Sequence, residues 1–332
     1  MPPLLAIRDL SVAFSSRGAW IPVVRDVSLS IEAGEFAGLV GESGAGKSAA
    51  ALAILGLLPE NGKVLGGRVE LDGRDLLSLS SAEMRRVRGG RVAMIFQEPM
   101  TALNPVFTVG FQISESVRAH QRLHGRSARR EAERLLDLVA IPAASQRLDA
   151  YPHQLSGGQR QRVMIAMALA GNPDLLIADE PTTALDVTVQ AQILELLEEL
   201  RRQLNLAILL ITHDLAVVAE RCTRIAVMYA GQIVERASSK KIFKSPAHPY
   251  TRGLLAVVPR LGQRPKAAGL PTIPGQVADP RRLPSGCAFH PRCEAVLEAC
   301  DRTEPALYRL GSDQTARCFL HLPDAQERET GQ

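Results

Sequence analysis

The chain has 332 residues, of which 46% are hydrophobic and 22% are charged. This composition is typical of a globular protein with a sizeable core, and the length suits one large domain or two modest ones. The net charge of +4 is too small to indicate a nucleic-acid-binding stripe, so we expect no nucleic-acid partner. No apolar stretch approaches the roughly 18–20 residues that cross a bilayer, and the N-terminus lacks a secretory signal. We therefore expect a cytoplasmic protein whose membrane role, if it has one, comes through partner subunits.

The first elements predicted along the chain are strands. Residues 4–14 and 23–31 alternate apolar and polar side chains, as half-buried antiparallel strands do. The apolar run at 36–40 predicts a buried strand that leads directly into a glycine-rich loop, and the following AAALAILGLL (49–58) predicts a helix. Further buried strands are predicted at 91–96, 175–178 and 207–211, and further strands at 66–72 and 225–229.

Helical segments separate several of these strands. Residues 112–171 are helical and charged in pattern, and 187–204 predicts a long amphipathic helix between two buried strands. This alternation predicts an α/β fold: a mostly parallel sheet covered on both faces, an antiparallel β subdomain and a helical insert at about 100–165. After residue 240 proline and glycine become frequent and periodicity fades, so we expect 1–240 to form one domain and 241–332 a loop-rich extension outside the sheet.

The loop after the third strand carries the first chemical signal. The octet GESGAGKS at 41–48 fits G-x-x-x-x-G-K-[ST], the loop of P-loop NTPases with a RecA-like sheet, and predicts Mg-ATP binding. Glycines let backbone N–H groups turn toward phosphates, Lys47 supplies charge to the β- and γ-phosphates, and the Ser48 hydroxyl ligates Mg²⁺. The loop residues expected at the nucleotide are Gly41, Glu42, Ser43, Gly44, Ala45, Gly46, Lys47, Ser48 and Ala49.

An acidic pair follows a later apolar run. LLIA at 175–178 delivers Asp179 and Glu180 to the end of a strand. We expect Asp179 to hold Mg²⁺ through water and Glu180 to act as the general base that polarises the attacking water. The sequence thus predicts an ATPase.

Further motifs narrow this prediction to a family. LSGGQ at 155–159, followed by RQRVMIAMAL, resembles the signature of ATP-binding-cassette (ABC) ATPases. Other motifs follow the family order: Gln97 resembles the Q-loop glutamine, TALD at 183–186 the D-loop, and His213 the switch histidine. Phe14 is positioned like the adenine-stacking aromatic, with Trp20 as a rival.

The resemblance implies a head-to-tail pair of cassettes with two ATPs between them. In such a pair the signature residues of one chain meet the ATP held by its mate, Asp186 crosses the interface, and Gln97 and His213 contact the Mg²⁺ and the γ-phosphate, respectively. The signature residues are Ser156, Gly157, Gly158 and Gln159.

Two further segments, together with the cysteine-bearing tail that contains GCAFHPRC at 286–293, resemble the oligopeptide/dipeptide importers, a subfamily that includes some nickel importers. These segments are QEPMTALNP at 97–105 and HPYTRGLL at 248–255. The resemblance implies a related second ATPase, two transmembrane permeases, an extracytoplasmic binding protein and a location on the cytoplasmic face of the membrane. The resemblance favours an ATPase that powers the import of di- or oligopeptides. An importer ATPase for nickel or another small solute is the alternative, and an ABC ATPase without a transport role is less favoured.

Four cysteines cluster in the extension: Cys287, Cys293, Cys300 and Cys318. In a reducing compartment such a cluster indicates metal binding or plain burial rather than disulfides. Four thiolates can hold either a [4Fe–4S] cluster or Zn²⁺, and His290 is an alternative ligand. The family resemblance favours [4Fe–4S].

Overall fold

A computed structural model describes residues 2–97, 102–183, 185–257 and 272–322. The strands are β1 (Leu5–Ser16), β2 (Ala19–Ile31), β3 (Phe36–Val40), β4 (Gly62–Leu71), β5 (Arg74–Asp75), β6 (Val92–Ile95), β7 (Leu175–Asp179), β8 (Ala207–Thr212), β9 (Arg224–Tyr229), β10 (Gln232–Ser238), β11 (Tyr308–Arg309) and β12 (Gln314–Ala316). The α-helices are α1 (Lys47–Ile54), α2 (Ser81–Val87), α3 (Val109–Gln121), α4 (Gly125–Leu138), α5 (Ala144–Arg147), α6 (Gly157–Leu169), α7 (Val187–Leu204), α8 (Leu215–Arg221), α9 (Ser239–Lys244) and α10 (Pro249–Val257).

These strands form two sheets. The smaller one is antiparallel, in the order β2-β1-β4-β5. The larger one has the order β11-β12-β10-β9-β3-β8-β7-β6, and its pairs from β6 to β9 are parallel. The α/β fold with a mostly parallel sheet and an antiparallel β subdomain is therefore confirmed.

The large sheet is buried on both faces, which explains its apolar strands. Every residue of β7 and β8 is buried. In β8, Leu210 joins the core beneath the helices, whereas its neighbour Leu209 joins the core beneath the antiparallel sheet. Successive strand residues point to opposite faces, so both faces need apolar side chains.

The helical insert packs at the β6 edge of this sheet. It comprises α3 to α6, and its buried residues, such as Ile113 on α3 and Leu135 on α4, belong to the larger core. The first predicted helix, 49–58, ends earlier than expected. Gly56 adopts φ 58°, and this left-handed residue stops α1 after Ile54.

The expectation that the extension lies outside the sheet is wrong. Strand β12 pairs antiparallel with β10, with Ala316 opposite Glu235, and β11 pairs with β12. Strands of two and three residues are too short for an alternating pattern to reveal them.

A buried carboxylate fastens the extension to β10. Glu235 is fully buried and accepts hydrogen bonds from the backbone N–H groups of Ala247 and His248, both at 2.8 Å, and from Gln314 Nε2 at 2.9 Å. Burying a charge is costly unless its lone pairs are satisfied, and here three donors satisfy them. The extension is thus part of the folded core of the described structure.

Among the described residues, we find no helix with both the length and the apolar composition of a bilayer-spanning segment.

Candidate functional site

The phosphate loop lies between β3 and α1, at the carboxyl ends of the parallel strands. Gly46 adopts φ 100°, and a Cβ there would lie 2.4 Å from the Val23 carbonyl oxygen, so only glycine fits. Lys47 is 5% exposed, and its Nζ donates to the carbonyl oxygens of Gly41 at 2.9 Å and Glu42 at 3.1 Å. The loop backbone therefore wraps around the Lys47 side chain at the start of α1.

Beside this loop is a cavity of about 300 Å³. It is lined by Phe14, Val23, residues 43–49, Gln97 and Glu180. Phe14 is thus beside the loop, whereas Trp20 is not among the lining residues and carries the ammonium of Lys63 over its ring, 3.9 Å from the ring centroid. The cavity brings together the aromatic, the phosphate loop and one acidic side chain that the sequence singled out separately.

Three polar side chains contact the carboxylate of Glu180. Its Oε2 accepts from Gln97 Nε2 at 3.0 Å and from Thr183 Oγ1 at 2.9 Å, and its Oε1 lies 3.0 Å from His213 Nδ1. Glu180 has φ 46°, a left-handed conformation that is uncommon for a residue other than glycine and that turns the chain sharply after β7. Three polar groups therefore orient one carboxylate at the edge of the phosphate-loop cavity.

The protonation of Glu180 results from opposing effects. Burial raises its pKa, but hydrogen bonds from His213 and Thr183 and the nearby charge of Lys47 outweigh burial, so the pKa lies below its usual value. A carboxyl group with a lowered pKa is ionised near neutral pH. Glu180 is thus in the form that can accept a proton.

Asp179 has a different environment from its neighbour. It is 4% exposed, its Oδ1 is buried without a hydrogen-bond partner, and burial raises its pKa even though Ser48 donates a hydrogen bond that opposes the rise. A buried carboxylate oxygen without a partner is an unusual feature that a cation would satisfy. Asp179 and Ser48 are hard oxygen donors at one place, which fits Mg²⁺.

The signature residues do not line this cavity. Ser156 caps α6: its Oγ accepts from the Gln159 N–H at 3.3 Å, and Gln159 Oε1 accepts from the Ser156 N–H at 3.1 Å. Asp186 likewise caps α7, because its Oδ1 accepts from the Val189 N–H at 2.9 Å. Both motifs therefore sit at helix N-termini, where the helix dipole favours anions.

Parts of two motifs lie outside the described residues. These are 98–101 of the QEPMTALNP segment and Ala184 of the D-loop.

Sequence reasoning missed two residues that bind the phosphate loop from the extension. Arg292 pairs with both carboxylate oxygens of Glu42, at 2.7 and 3.0 Å, and Tyr250 Oη accepts from the Glu42 N–H at 2.9 Å. The hydrogen bond from Thr183 to Glu180 was also not anticipated. Tyr250 lies in HPYTRGLL and Arg292 in HPRC, so both segments carried a signal, but that signal pointed to a family and not to the loop.

The four cysteines of the extension line one enclosed cavity of about 10 Å³ and are all free thiols. Burial raises the pKa of Cys287 to about 11, and His290 directs its Nδ1 to the Cys287 carbonyl oxygen at 3.0 Å. The donor chemistry suits a metal, yet no three His, Cys, Asp or Glu side chains of the described structure are grouped so that they could hold one. The expected [4Fe–4S] cluster therefore gains no support from the geometry beyond the shared cavity.

The fold and the site together define an ABC-type ATPase. Residues 24–183 match the ABC transporter family, and residues 234–300 match the family described as the oligopeptide/dipeptide transporter C-terminal region. The chain is similar to a solved dimeric ATP-binding cassette with bound ADP and phosphate: 28% identity, TM-score 0.63, covering 71% of this chain and 98% of the other. A cassette of a Clostridium perfringens ABC transporter complex has 26% identity and TM-score 0.64, covering 74% and 92%.

Full-length relatives share both regions. A dipeptide transport ATP-binding protein of Escherichia coli is 50% identical over 322 residues, covering 97% of this chain and 98% of the relative. An oligopeptide transport ATP-binding protein of Bacillus subtilis is 47% identical over 330 residues, covering 99% and 100%. The chain belongs to the ATP-binding subunits of the oligopeptide/dipeptide branch of the ABC transporter family.

Proposed function

We propose that this ATPase powers the import of di- or oligopeptides through a membrane transporter complex. The observation that carries the catalytic part is the carboxylate of Glu180, held beside the phosphate loop by Gln97, Thr183 and His213. The peptide part rests on the relatives named for dipeptide and oligopeptide transport and on the C-terminal region that they share. We assign 1–240 to the cassette, with the helical subdomain at about 100–165, and 241–332 to the transporter-specific extension.

Each residue of the site has a proposed role in ATP hydrolysis. The N–H groups of the loop and Lys47 bind the phosphates, and Phe14 stacks on adenine. Ser48 and Asp179, with Gln97, hold Mg²⁺, which neutralises phosphate charge when bound. Glu180 accepts the proton of the attacking water, and His213 orients that carboxylate and contacts the γ-phosphate.

The signature and the D-loop act in a neighbouring subunit. Ser156 and the following glycines offer a hydroxyl and free N–H groups at the start of α6, which suits a γ-phosphate held by the mate. Because these residues do not line the cavity of their own chain, a paired cassette gives them a ligand. ATP then favours the closed pair by binding it more tightly than the open one, and hydrolysis removes this preference.

A groove at the β6 edge suits the membrane partners. It has a volume of about 270 Å³ and is lined mostly by apolar residues, including Phe96 just after β6 and Met164 and Met167 of α6. The polar residues Arg88, Ser116 and His120 also line it. Val106, 70% exposed, and Phe107, 43% exposed, lie in the adjacent chain segment. Grooves with mostly apolar linings bind the apolar faces of amphipathic helices, so we assign this groove, next to Gln97, to a cytoplasmic helix of a permease. The complete assembly has a second related ATPase, two permeases and an extracytoplasmic binding protein, with this chain at the cytoplasmic face.

Transport by the reconstituted complex tests this function. We expect proteoliposomes with this chain, its partner ATPase, the permeases and the binding protein to take up a labelled dipeptide only when ATP is present on the side of the ATPases. The Glu180→Gln complex is the matched control and should not transport. Uptake of Ni²⁺ without uptake of any di- or oligopeptide would contradict the peptide assignment.

We also propose that Cys287, Cys293, Cys300 and Cys318 bind a metal centre, with [4Fe–4S] as the first choice and Zn²⁺ as the alternative. The shared cavity and the free thiols support a common ligand set. At about 10 Å³ the space holds little more than one water, so the side chains must turn outward to admit a cluster. No step of ATP hydrolysis depends on this centre.

Metal analysis of anaerobically purified protein decides this point. We expect about four iron atoms per chain and a brown colour, and loss of both in Cys300→Ser. Cys222→Ser is the control, because Cys222 is buried in the larger core and away from the cavity. A colourless sample with one zinc per chain would replace the cluster by a structural zinc site, and a metal-free sample would remove the proposal.

A further inference from the structure

Two side chains of the C-terminal extension reach the phosphate loop, and the first is Arg292. Arg292 lies in a short 3-10 helix, His290–Arg292, and is 250 positions along the chain from Glu42 of the phosphate loop. Its guanidinium donates from Nη1 to Glu42 Oε2 at 2.7 Å and from Nη2 to Glu42 Oε1 at 3.0 Å. This is the paired geometry in which arginine and carboxylate bind most strongly.

The arginine of this pair is buried and the glutamate is half-buried, whereas most ion pairs of the described structure are more exposed. The Arg292 side chain is 4% exposed and that of Glu42 24%. Arg292 Nε also donates to the Pro274 carbonyl oxygen at 2.9 Å, so the guanidinium is fixed from a second side. With these partners the Arg292 side chain has little conformational freedom. The guanidinium therefore fixes the position of the Glu42 carboxylate.

A second contact fixes the backbone of the same loop residue. Tyr250 is fully buried on α10, and its Oη accepts the Glu42 N–H at 2.9 Å. The ring packs against Tyr229 with centroids 4.7 Å apart and against Phe289 with centroids 5.3 Å apart. Glu42 is therefore held by its carboxylate and by its N–H, both from the extension.

These contacts act on the part of the loop that binds Lys47. The Glu42 carbonyl oxygen accepts from Lys47 Nζ at 3.1 Å and from the Ala45 N–H at 3.2 Å. A shift of Glu42 would move the carbonyl that positions the lysine and the turn that points N–H groups at the phosphates. Loop geometry set before the nucleotide arrives reduces the ordering cost of binding.

We propose that Arg292 and Tyr250 are positioning residues that hold the phosphate loop in its nucleotide-binding shape through Glu42. This inference rests on the assignment of 41–48 as the phosphate loop. Neither residue lines the phosphate-loop cavity, so we expect them to act through Glu42 on nucleotide binding in the ground state and the transition state alike. Such an effect raises KM and leaves kcat nearly unchanged.

Affinity for Mg-ADP, measured by calorimetry on the full chain, tests the proposal together with ATPase kinetics. We expect Arg292→Ala to raise the Kd for Mg-ADP and the KM for ATP by about tenfold, with kcat within about twofold of the original. Tyr250→Phe, which removes only the acceptor, should raise both by about threefold. Arg281→Ala is the matched control, because Arg281 is exposed and, among the described residues, forms its ion pair with Asp279 of the extension; it should leave the Kd, KM and kcat unchanged.

A double-mutant cycle separates positioning from general damage. Glu42→Ala alone leaves Arg292 buried without its partner, so the double variant Glu42→Ala/Arg292→Ala should bind Mg-ADP no more weakly than the worse single variant. Arg292→Lys keeps the charge without the paired geometry, should give an intermediate Kd, and replaces Arg292→Ala if that variant does not fold. Additive effects in the cycle, or an unchanged Kd in folded Arg292 variants, would overturn the proposal.

Lys47→Ala, measured in parallel, distinguishes the two levels of inference. If Lys47→Ala retains full affinity for Mg-ADP, the phosphate-loop assignment fails and this proposal fails with it. If Lys47→Ala loses affinity while the Arg292 and Tyr250 variants keep theirs, only the positioning role is wrong.

Discussion

Glu180→Gln should bind ATP with nearly the original affinity and lower kcat by about 10²- to 10⁴-fold, the usual contribution of a positioned general base. The amide has the shape of the carboxylate and can still accept from Thr183 and Gln97, so the local structure should persist. It cannot take a proton from water. Because ATP then remains intact, the closed pair of cassettes should accumulate in the variant.

Single-turnover hydrolysis and size-exclusion chromatography with Mg-ATP measure these two effects. Glu220→Gln, which changes an exposed residue on α8, is the matched control and should hydrolyse ATP at the parental rate and elute as the parent chain does. Turnover by Glu180→Gln at the parental rate would mean that another group accepts the proton.

Lys47→Ala should abolish ATP turnover at cellular ATP concentrations, mainly by weakening phosphate binding. Hydrogen bonds to charged groups contribute about 1.5–3 kcal/mol each, so the loss of contacts to two phosphates predicts an affinity at least about 100-fold lower. Burial lowers the pKa of Lys47, and the charges of Glu180, Asp179 and Glu42 oppose this fall. Without the ammonium these three carboxylates would repel the phosphates.

Equilibrium binding of a fluorescent ATP analogue measures this loss, with Lys240→Ala as control because Lys240 is exposed on α9. Lys240→Ala should bind like the parent chain. Full ATPase activity of Lys47→Ala would refute the loop assignment.

The sequence predicted the structure best where the local conformation is determined by residues adjacent in the chain. The octet at 41–48 predicts a loop between a strand and a helix, and the structure has β3 before it and α1 after it. The apolar run before Asp179 likewise predicts a buried strand, and all of β7 is buried. Signals of this kind are short-range and need no knowledge of the tertiary fold.

Contacts between distant segments were beyond this kind of reasoning. Nothing in the residues around Glu42 indicates a partner at Arg292, and a single arginine in a loop is usually a solvated residue. The same limit applies to β12, because three residues are too few to show the alternation of apolar and polar side chains that predicts a strand. Which of Phe14 and Trp20 lies beside the phosphate loop also depends on the fold, because both flank the same irregular stretch of the chain; of the two, Phe14 lines the cavity.

The buried carboxylate of Glu235 has a consequence for how this kind of protein can diversify. Its three donors come from positions 247, 248 and 314, so one acid on β10 is matched to two separate stretches of the extension. Recombination that joined the residues up to β10 to an unrelated C-terminal segment would leave the buried carboxyl group of Glu235 without these three donors. Descent should therefore keep the two portions together, with a carboxylate at 235, a donor side chain at 314 and a residue other than proline at 247 and 248.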